Sequence, residues 1–246
     1  MKAMILAAGL GTRLRPLTEQ RPKALVQLED RTLLQITLGR LRSFGVSEVI
    51  VNVHHFADML VDYLQQHANF GMHIEISREE ELLDTGGGLK KAAPFFLRDG
   101  SDDPFIVHNV DVLSTIDLAE MVGRHRELGA LATLAIQRRD SSRQLLFDHA
   151  GQLCGRRNGR DVPVEWARNA APVEELAFCG VHVLSPKILT QMDDAPAFSI
   201  VPTYLRLASA GEKIIAYRID GAYWRDLGTP ASLQQASDDL KRGVVS

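Results

Sequence analysis

The chain has 246 residues, with 28 Lys plus Arg against 31 Asp plus Glu and a formal net charge of −3. Apolar residues make up 45% of it and charged residues 24%, the mix of a soluble globular protein and not of a disordered one. The near-neutral balance excludes a polybasic mode of binding nucleic acid or a membrane surface, but leaves room for a local cationic pocket.

Met1 to Ala8 reads as a short buried strand entering a glycine loop, and Thr32 to Phe44 as a helix with a stripe at Leu33, Leu34, Ile36, Leu38 and Leu41, closed by Gly45. Glu48 to Val53 follows as a strand, Phe56 to Gln66 as an amphipathic helix and Met72 to Ser77 as an alternating strand. A helix is expected over Gly88 to Phe96 and a strand over Pro104 to His108, running into Asp111. Strands and helices alternating at this spacing predict an α/β fold, a mostly parallel sheet with helices on both faces and ligand loops at the strand C-termini. Leu131 to Gln137 and Gln144 to Phe147 read as strands, and Ala150 to Pro172 as a loop or irregular β insertion. Leu176 to Leu184 returns to strand, with helices near Pro186 to Met192 and Ile200 to Ala210. A strand over Lys213 to Ile219 and a helix over Ala231 to Leu240 close the chain. No internal repeat or linker divides it, so residues 1–246 are expected to form a single domain, and that length buries a core without disulfides or metals.

Cys154 and Cys179 lack metal or redox spacing and are expected to be reduced packing residues. The N-terminal apolar run, about seven residues, is too short for a signal peptide, and no stretch nears the ~20 apolar residues of a membrane span. A cytoplasmic protein is expected. His54, His55 and Asp58 stand at a strand-to-helix junction without the further ligands zinc needs, so no zinc site is assigned.

The segment from Leu6 to Lys23 is the richest in chemistry. Gly9 and Gly11 can adopt positive φ and bring backbone N–H groups close to an anion, while Ala7 and Ala8 are small enough for a flat base to lie against the strand end. Residues 1–23 carry Lys2, Arg13, Arg15, Arg21 and Lys23 against Glu19 alone, a basic loop within an acidic body. Arginine suits phosphate through paired hydrogen bonds. A dinucleotide fingerprint fails here because its third glycine falls at Leu14 and Pro16 interrupts the following helix; a P-loop fails for want of Gly-Lys-Ser/Thr.

Gly9-Leu-Gly-Thr-Arg-Leu-Arg-Pro-Leu-Thr18 followed by Pro22-Lys23 resembles the signature of the sugar-1-phosphate nucleotidyltransferases. Asp84-Thr-Gly-Gly-Gly88, Asn109-Val-Asp111 and Trp224-Arg-Asp-Leu-Gly-Thr-Pro230 agree in order and spacing, so the likeness spans nearly the whole chain. It implies a Rossmann-like mixed sheet of glycosyltransferase-A-like architecture, with a nucleotide-binding half near 1–115 and a sugar-binding half near 116–246. It implies that a sugar 1-phosphate attacks the α-phosphorus of a nucleoside triphosphate, releasing pyrophosphate, within nucleotide-sugar biosynthesis and cell-envelope sugar metabolism.

By that resemblance Arg13 and Lys23 are catalytic, Arg13 on the triphosphate and Lys23 on the α-phosphate or sugar phosphate. Ala7, Ala8, Gly9, Gly11, Thr12, Gly86, Gly87 and Asn109 join Arg13 around the nucleotide, and Asp111 and Asp226 hold Mg²⁺. The physical reading agrees for the carboxylates: each ends an apolar run, where an acidic residue needs a partner. Three glycines opening a helix cost ~1 kcal/mol each relative to alanine, so a close backbone approach explains that run better than propensity.

Two departures stand out. Val110 replaces the glycine common in the family's Asn-Gly-Asp, and no Glu-Lys-Pro sugar motif is found among the arginines at 138–139 and 156–160, which read as solvated turns. The short chain, with no room for a left-handed β-helix after Asp226, looks most like the uridylyltransferases that use N-acetylmuramate 1-phosphate. Next come the guanylyltransferases for mannose or heptose 1-phosphate. A nucleotide-binding regulatory protein without turnover is the non-enzyme alternative. The expected partners are a nucleoside triphosphate and a sugar 1-phosphate, without nucleic acid or membrane, and a homodimer is the working assembly.

Overall fold

The first strand shows how the sheet divides the molecule. In the computed structural model, which describes residues 1–192 and 195–245, β1 (Lys2–Leu6) turns Ala3 and Ile5 into one apolar cluster and Met4 into another. Strand period two makes this inevitable: a run buried on both faces feeds two cores. β2 (Gln27–Leu28) and β3 (Arg31–Thr32) form a small antiparallel pair before α1 (Leu33–Ser43). Next come β4 (Glu48–Val53), α2 (Ala57–Gln66), β5 (His73–Arg78), α3 (Asp84–Lys91) and α4 (Ala93–Leu97). β6 (Phe105–Asn109), β7 (Val112–Ser114) and α5 (Leu118–Leu128) complete the first half. The second half runs β8 (Ala132–Gln137), β9 (Arg143–Asp148), β10 (Leu153–Asn158), β11 (Glu165–Trp166), β12 (Val173–Leu184) and α6 (Ile200–Ser209). β13 (Ile214–Arg218), β14 (Trp224–Asp226) and α7 (Pro230–Lys241) end it.

The main sheet runs β11-β10-β9-β12-β6-β1-β4-β5, with β8 paired to β12 and β13 to β8. β6, β1, β4 and β5 are mutually parallel, and β12 joins β6 antiparallel. One face carries Leu34 and Leu38 of α1, Leu60 of α2, Met121 of α5 and Leu233 of α7. The other carries Leu89 of α3, Phe96 of α4 and Tyr204 of α6. The expected α/β architecture is present, a mixed sheet between helical layers.

Local chemistry explains some of the helix ends. The Thr32 hydroxyl caps α1 by accepting from the Gln35 amide at 3.1 Å, and Gly45 leaves the helix at φ +78. Three helical segments differ from the sequence reading. α5 is absent from it, although Asp117 accepts from Glu120 N at 2.9 Å, Leu118, Met121, Val122 and His125 make a buried stripe, and Gly129 closes it at φ +56. The helix expected to begin at Gly88 is two helices, α3 and α4, and the glycines lie inside the first. Pro186–Gln191 is a 3₁₀ turn.

The polar stretch after Ala150 is regular enough to extend the sheet as β10 and β11, tied by ion pairs Arg156–Glu165 and Arg157–Glu175, both at 2.7 Å. Arg156 and Arg157 are therefore cross-strand partners, not solvated turns, whereas Arg160 does sit in an exposed turn, paired with Asp140 at 2.8 Å.

Three histidines are buried against the sheet. His125 bonds the Thr133 hydroxyl at 2.9 Å and the Ser185 hydroxyl at 3.0 Å; His182 bonds the Tyr204 hydroxyl at 2.6 Å. Loss of solvation holds these imidazoles neutral, lowering His125 and His108 to about 4 and His182 to about 3. The unfolded chain takes up these protons near pH 6.5, the folded chain only near pH 4, so stability is complete above pH 6.5 and drains as pH falls. Urea unfolding should show a lower midpoint at pH 5 than at pH 7.5, with roughly 1–2 kcal/mol lost through His125 alone. A midpoint flat across that interval would contradict neutral buried histidines.

Candidate active site

β1 lies between β4 and β6; the chain leaves β1 toward β4 on one side and returns to β6 on the other. The strand order reverses there, and in open α/β sheets ligands bind beyond the C-terminal strand ends at such a point, here those of β1 and β6. Ala7 and Ala8 form the floor there, 5% and 7% exposed. Gly11 has φ +64, and a Cβ there would stand 2.9 Å from Thr18 Cγ2 and 3.2 Å from Lys23 Cβ. The Thr18 hydroxyl donates to Gly11 O at 2.9 Å and folds the loop back on itself. Gly9 differs from the expectation: it keeps a negative φ and has open space where a Cβ would go. Thr12–Leu14 forms a 3₁₀ turn in which buried Leu14 anchors the loop and leaves Thr12 and Arg13 exposed. Arg15 is also exposed.

A short antiparallel ribbon brings the backbones at Asp111 and Asp226 together. β14 pairs with β7 so that Asp226 faces Val112, and Leu227 N donates to Asp111 O at 2.8 Å. Lys23 pairs with Asp111, their side chains only 12% and 14% exposed. Arg13 approaches Asp226 at 3.8 Å in a more open position. Gly228 makes this approach feasible, because a Cβ there would meet Asp226 Oδ1 and lie 2.6 Å from Arg13 Nη2. Its amide also donates to Asp226 Oδ1 at 2.6 Å. Arg13–Asp226 and Lys23–Asp111, drawn from four places in the sequence, thus form two ion pairs that the β7–β14 ribbon brings alongside each other.

Asn109 ends β6 beside Gly180 of β12, whose φ of +73 and missing Cβ admit the Asn109 amide, with Nδ2 2.7 Å from the Cβ position. Val110 is buried in the helical layer, its N–H bonded to Leu6 O at 3.1 Å and its carbonyl reached by the Thr37 hydroxyl at 3.4 Å. The β-branched side chain therefore points into the core and not at the crevice. Arg139 lies over Trp224, its guanidinium carbon 4.1 Å from the ring centre, and donates to Phe178 O at 2.9 Å. It is a packed residue of the wall and not the solvated turn expected from sequence.

Gly86, Gly87 and Gly88 are buried. The expected close approach exists, but the approaching groups belong to the chain itself. Gly86 N and Gly87 N both donate to Phe198 O, at 2.9 and 3.2 Å, and a Cβ on either would collide with Phe198 or Pro196. Gly88 faces Asn52 and Glu79, each 2.7 Å from its Cβ position. Neither polar residue belongs to the predicted site, though a polar Asn52 within the apolar run of β4 is a signal the sequence carries.

Among the described residues no three His, Cys, Asp or Glu side chains cluster as a metal cage. Asp111, in the turn before β7, and Asp226, on the facing strand β14, nevertheless fit a hard cation that takes its other ligands from phosphate and water, the usual manner of Mg²⁺. No helix among the described residues is long and apolar enough to cross a membrane.

Residues 2–145 match the family model described as Nucleotidyl transferase. The chain is 32% identical over 237 residues to the N-acetylmuramate alpha-1-phosphate uridylyltransferase of Caulobacter vibrioides, covering 93% of this chain and 92% of that one. It is 30% identical over 232 residues to the mannose-1-phosphate guanyltransferase of Yarrowia lipolytica, covering 94% of this chain but 61% of that relative. The UTP--glucose-1-phosphate uridylyltransferase of Synechocystis is also 30% identical, and the chain spans 64% of its length. The fold matches HddC from Yersinia pseudotuberculosis with a TM-score of 0.76 at 22% identity, covering 97% of this chain and 99% of that one. It matches a UDP-glucose pyrophosphorylase with a TM-score of 0.78 at 19% identity, covering 98% of each. The chain belongs to the nucleotidyl transferase family.

Gly87→Ala places a methyl group against the Pro196 carbonyl. Overpacking of this kind costs about 1–3 kcal/mol, so thermal unfolding should shift down by several degrees, and an unshifted transition would show that 195–199 yields freely.

Proposed function

We propose that this nucleotidyltransferase moves a nucleoside monophosphate from a nucleoside triphosphate to a sugar 1-phosphate, giving a nucleoside diphosphate sugar and pyrophosphate. The convergence of Arg13, Lys23, Asp111 and Asp226 at the switch point carries this reading. The sugar phosphate is already an anion at neutral pH, so the task is to bring two polyanions together and to stabilise charge on the leaving pyrophosphate. Arg13, exposed beside Asp226, neutralises the triphosphate. Lys23, fixed by Asp111, meets the α-phosphate or the sugar phosphate. The backbone of Gly9, Gly11 and Thr12 lines the phosphates, and Ala7 and Ala8 lie under the base. Asn109 stands at the ribose side, and Gly86 and Gly87 contribute through the close seating of α3 against the cleft. Asp111 and Asp226 would hold Mg²⁺, which neutralises phosphate oxygens when bound. Residues up to about 115 then form the nucleotide half and the rest the sugar half of one domain, with β14 returning Asp226 to the first.

UTP with N-acetylmuramate 1-phosphate is the preferred substrate pair, supported by the Caulobacter relative that the chain matches over 92% of its length. GTP with mannose or heptose 1-phosphate is the second reading, supported by guanylyltransferase relatives at similar identity. Both place the protein in the cytoplasm, where nucleoside triphosphates are made, in nucleotide-sugar synthesis for the cell envelope.

Pyrophosphate release across four nucleoside triphosphates and several sugar 1-phosphates should peak at UTP with N-acetylmuramate 1-phosphate and vanish when EDTA removes Mg²⁺. Silence across the panel despite nucleotide binding would instead favour a regulatory protein.

Asp226→Asn keeps an oxygen for the Gly228 amide, so turnover should fall about 10²-fold or more while the melting temperature stays within a few degrees. Parallel losses would make Asp226 a structural cap. Lys23→Ala should lower kcat/KM by about 10²-fold and leave Asp111 without its partner; unchanged steady-state constants would remove Lys23 from the site.

A further inference from the structure

Behind the cleft floor, a chain of hydrogen bonds joins three segments that the proposed function treats separately. Ala7 N donates to Asn52 Oδ1 at 2.7 Å, Asn52 Nδ2 donates to Glu79 Oε1 at 2.7 Å, and Leu83 N donates to Glu79 Oε2 at 3.0 Å. Asn52 and Glu79 are 2% and 4% exposed. Ala7 is the point where β1 becomes the phosphate loop, and Leu83 immediately precedes α3. The chain is also braced from β4, since Glu79 N donates to Val53 O at 2.7 Å. Gly88 brings α3 onto the pair, because any Cβ there would lie 2.7 Å from both Asn52 Nδ2 and Glu79 Oε1.

The polarity of this chain admits a single assignment. Backbone amides at Ala7 and Leu83 can only donate, so Asn52 must offer its oxygen to one and Glu79 an oxygen to the other. The Asn52 amide nitrogen then points at Glu79, which must accept on both oxygens. A carboxylate does this; a carboxamide or an apolar residue does not. A buried acceptor set used completely is the kind of network that fixes geometry, because a mismatch leaves a donor facing a donor away from water.

We propose that Asn52 and Glu79 are a positioning pair that sets the width of the nucleotide cleft by clamping the phosphate loop at Ala7 to the Leu83 turn of α3. This assignment rests on the cleft being the triphosphate site. The pair acts through backbone placement, so its loss weakens triphosphate binding and leaves the rate of the bound complex nearly unchanged.

The test exploits the polarity. Glu79→Gln sets an amide donor against either Asn52 Nδ2 or Leu83 N–H, and Asn52→Asp sets two carboxylates together. In the double variant Asn52→Asp/Glu79→Gln the introduced aspartate accepts from Ala7 N–H and from the introduced amide, whose oxygen accepts from Leu83 N–H. Every donor is matched again at the same net charge and nearly the same volume.

Each single variant should raise the KM for the triphosphate by about tenfold or more, with kcat within about threefold of the parent, and should lose hydrogen-exchange protection at Ala7 and Leu83. The double variant should recover KM within about threefold and regain the protection. Calorimetric titration with UTP and GTP reads the same cleft without turnover. If the parent chain binds a nucleotide but forms no product, the functional reading fails while the pair is still tested through Kd. Singles with parental KM and Kd would overturn the proposal. So would a double variant that fails to fold, or one that regains stability but not affinity; the latter would mean that Glu79 acts on the nucleotide itself.

Discussion

The ion pair between Lys23 and Asp111 is the constraint around which the site is arranged. Both side chains are largely withdrawn from water, so each charge depends on the other. Lys23 comes from the excursion between β1 and β2, and Asp111 from the turn between β6 and β7. Holding them together requires β1 and β6 to be neighbours, and that parallel pairing creates the crevice. Once Asp111 is fixed, its backbone carbonyl accepts from Leu227 and draws β14 alongside β7, which delivers Asp226. One charge pair thus relates the start, middle and end of the chain.

Glycine serves that arrangement in three different ways. At Gly11 the backbone needs positive φ, and at Gly228 the missing side chain lets Arg13 and Asp226 share space. At Gly86 to Gly88 the helix itself must lie close to other protein groups: Phe198 and Pro196 on one side, Asn52 and Glu79 on the other. Here the run lets the cleft wall pack.

The second half of the molecule supplies the wall opposite the phosphate loop. β12 bridges the two halves, pairing with β6 at its C-terminal end and with β9 at its N-terminal end. The stack of Arg139 on Trp224 and the Trp224 indole bond to Cys179 O at 2.8 Å fasten β14 to that bridge. The far face of β14 is held as firmly, because Arg225 and Tyr223 both reach Asp239 of α7 at 2.8 Å. These donors keep Asp239 well below the usual carboxylate range, the Tyr223 hydroxyl foremost among them. Asp226 thus sits on a strand restrained from both sides, as a residue that must present a carboxylate at a fixed point requires.

By itself the sequence determined the alternation of strands and helices, the burial of β1, and the basic loop with its family signature. Those are local properties, written in periodicity and in short fixed spacings. α5 was equally legible through Asp117, Glu120 and Gly129, although the sequence reading passes over it. Only tertiary structure decided which partners the glycines and arginines meet. Arg139, Arg156 and Arg157 look like turn residues until cross-strand neighbours supply Trp224, Glu165 and Glu175. Asn52 and Glu79 find Ala7 and Leu83 only when β1, β4 and β5 lie side by side. Hydrogen bonds and charge pairs act over a few ångströms in space and carry no trace of sequence distance, so the chain's order names the groups while the fold alone pairs them.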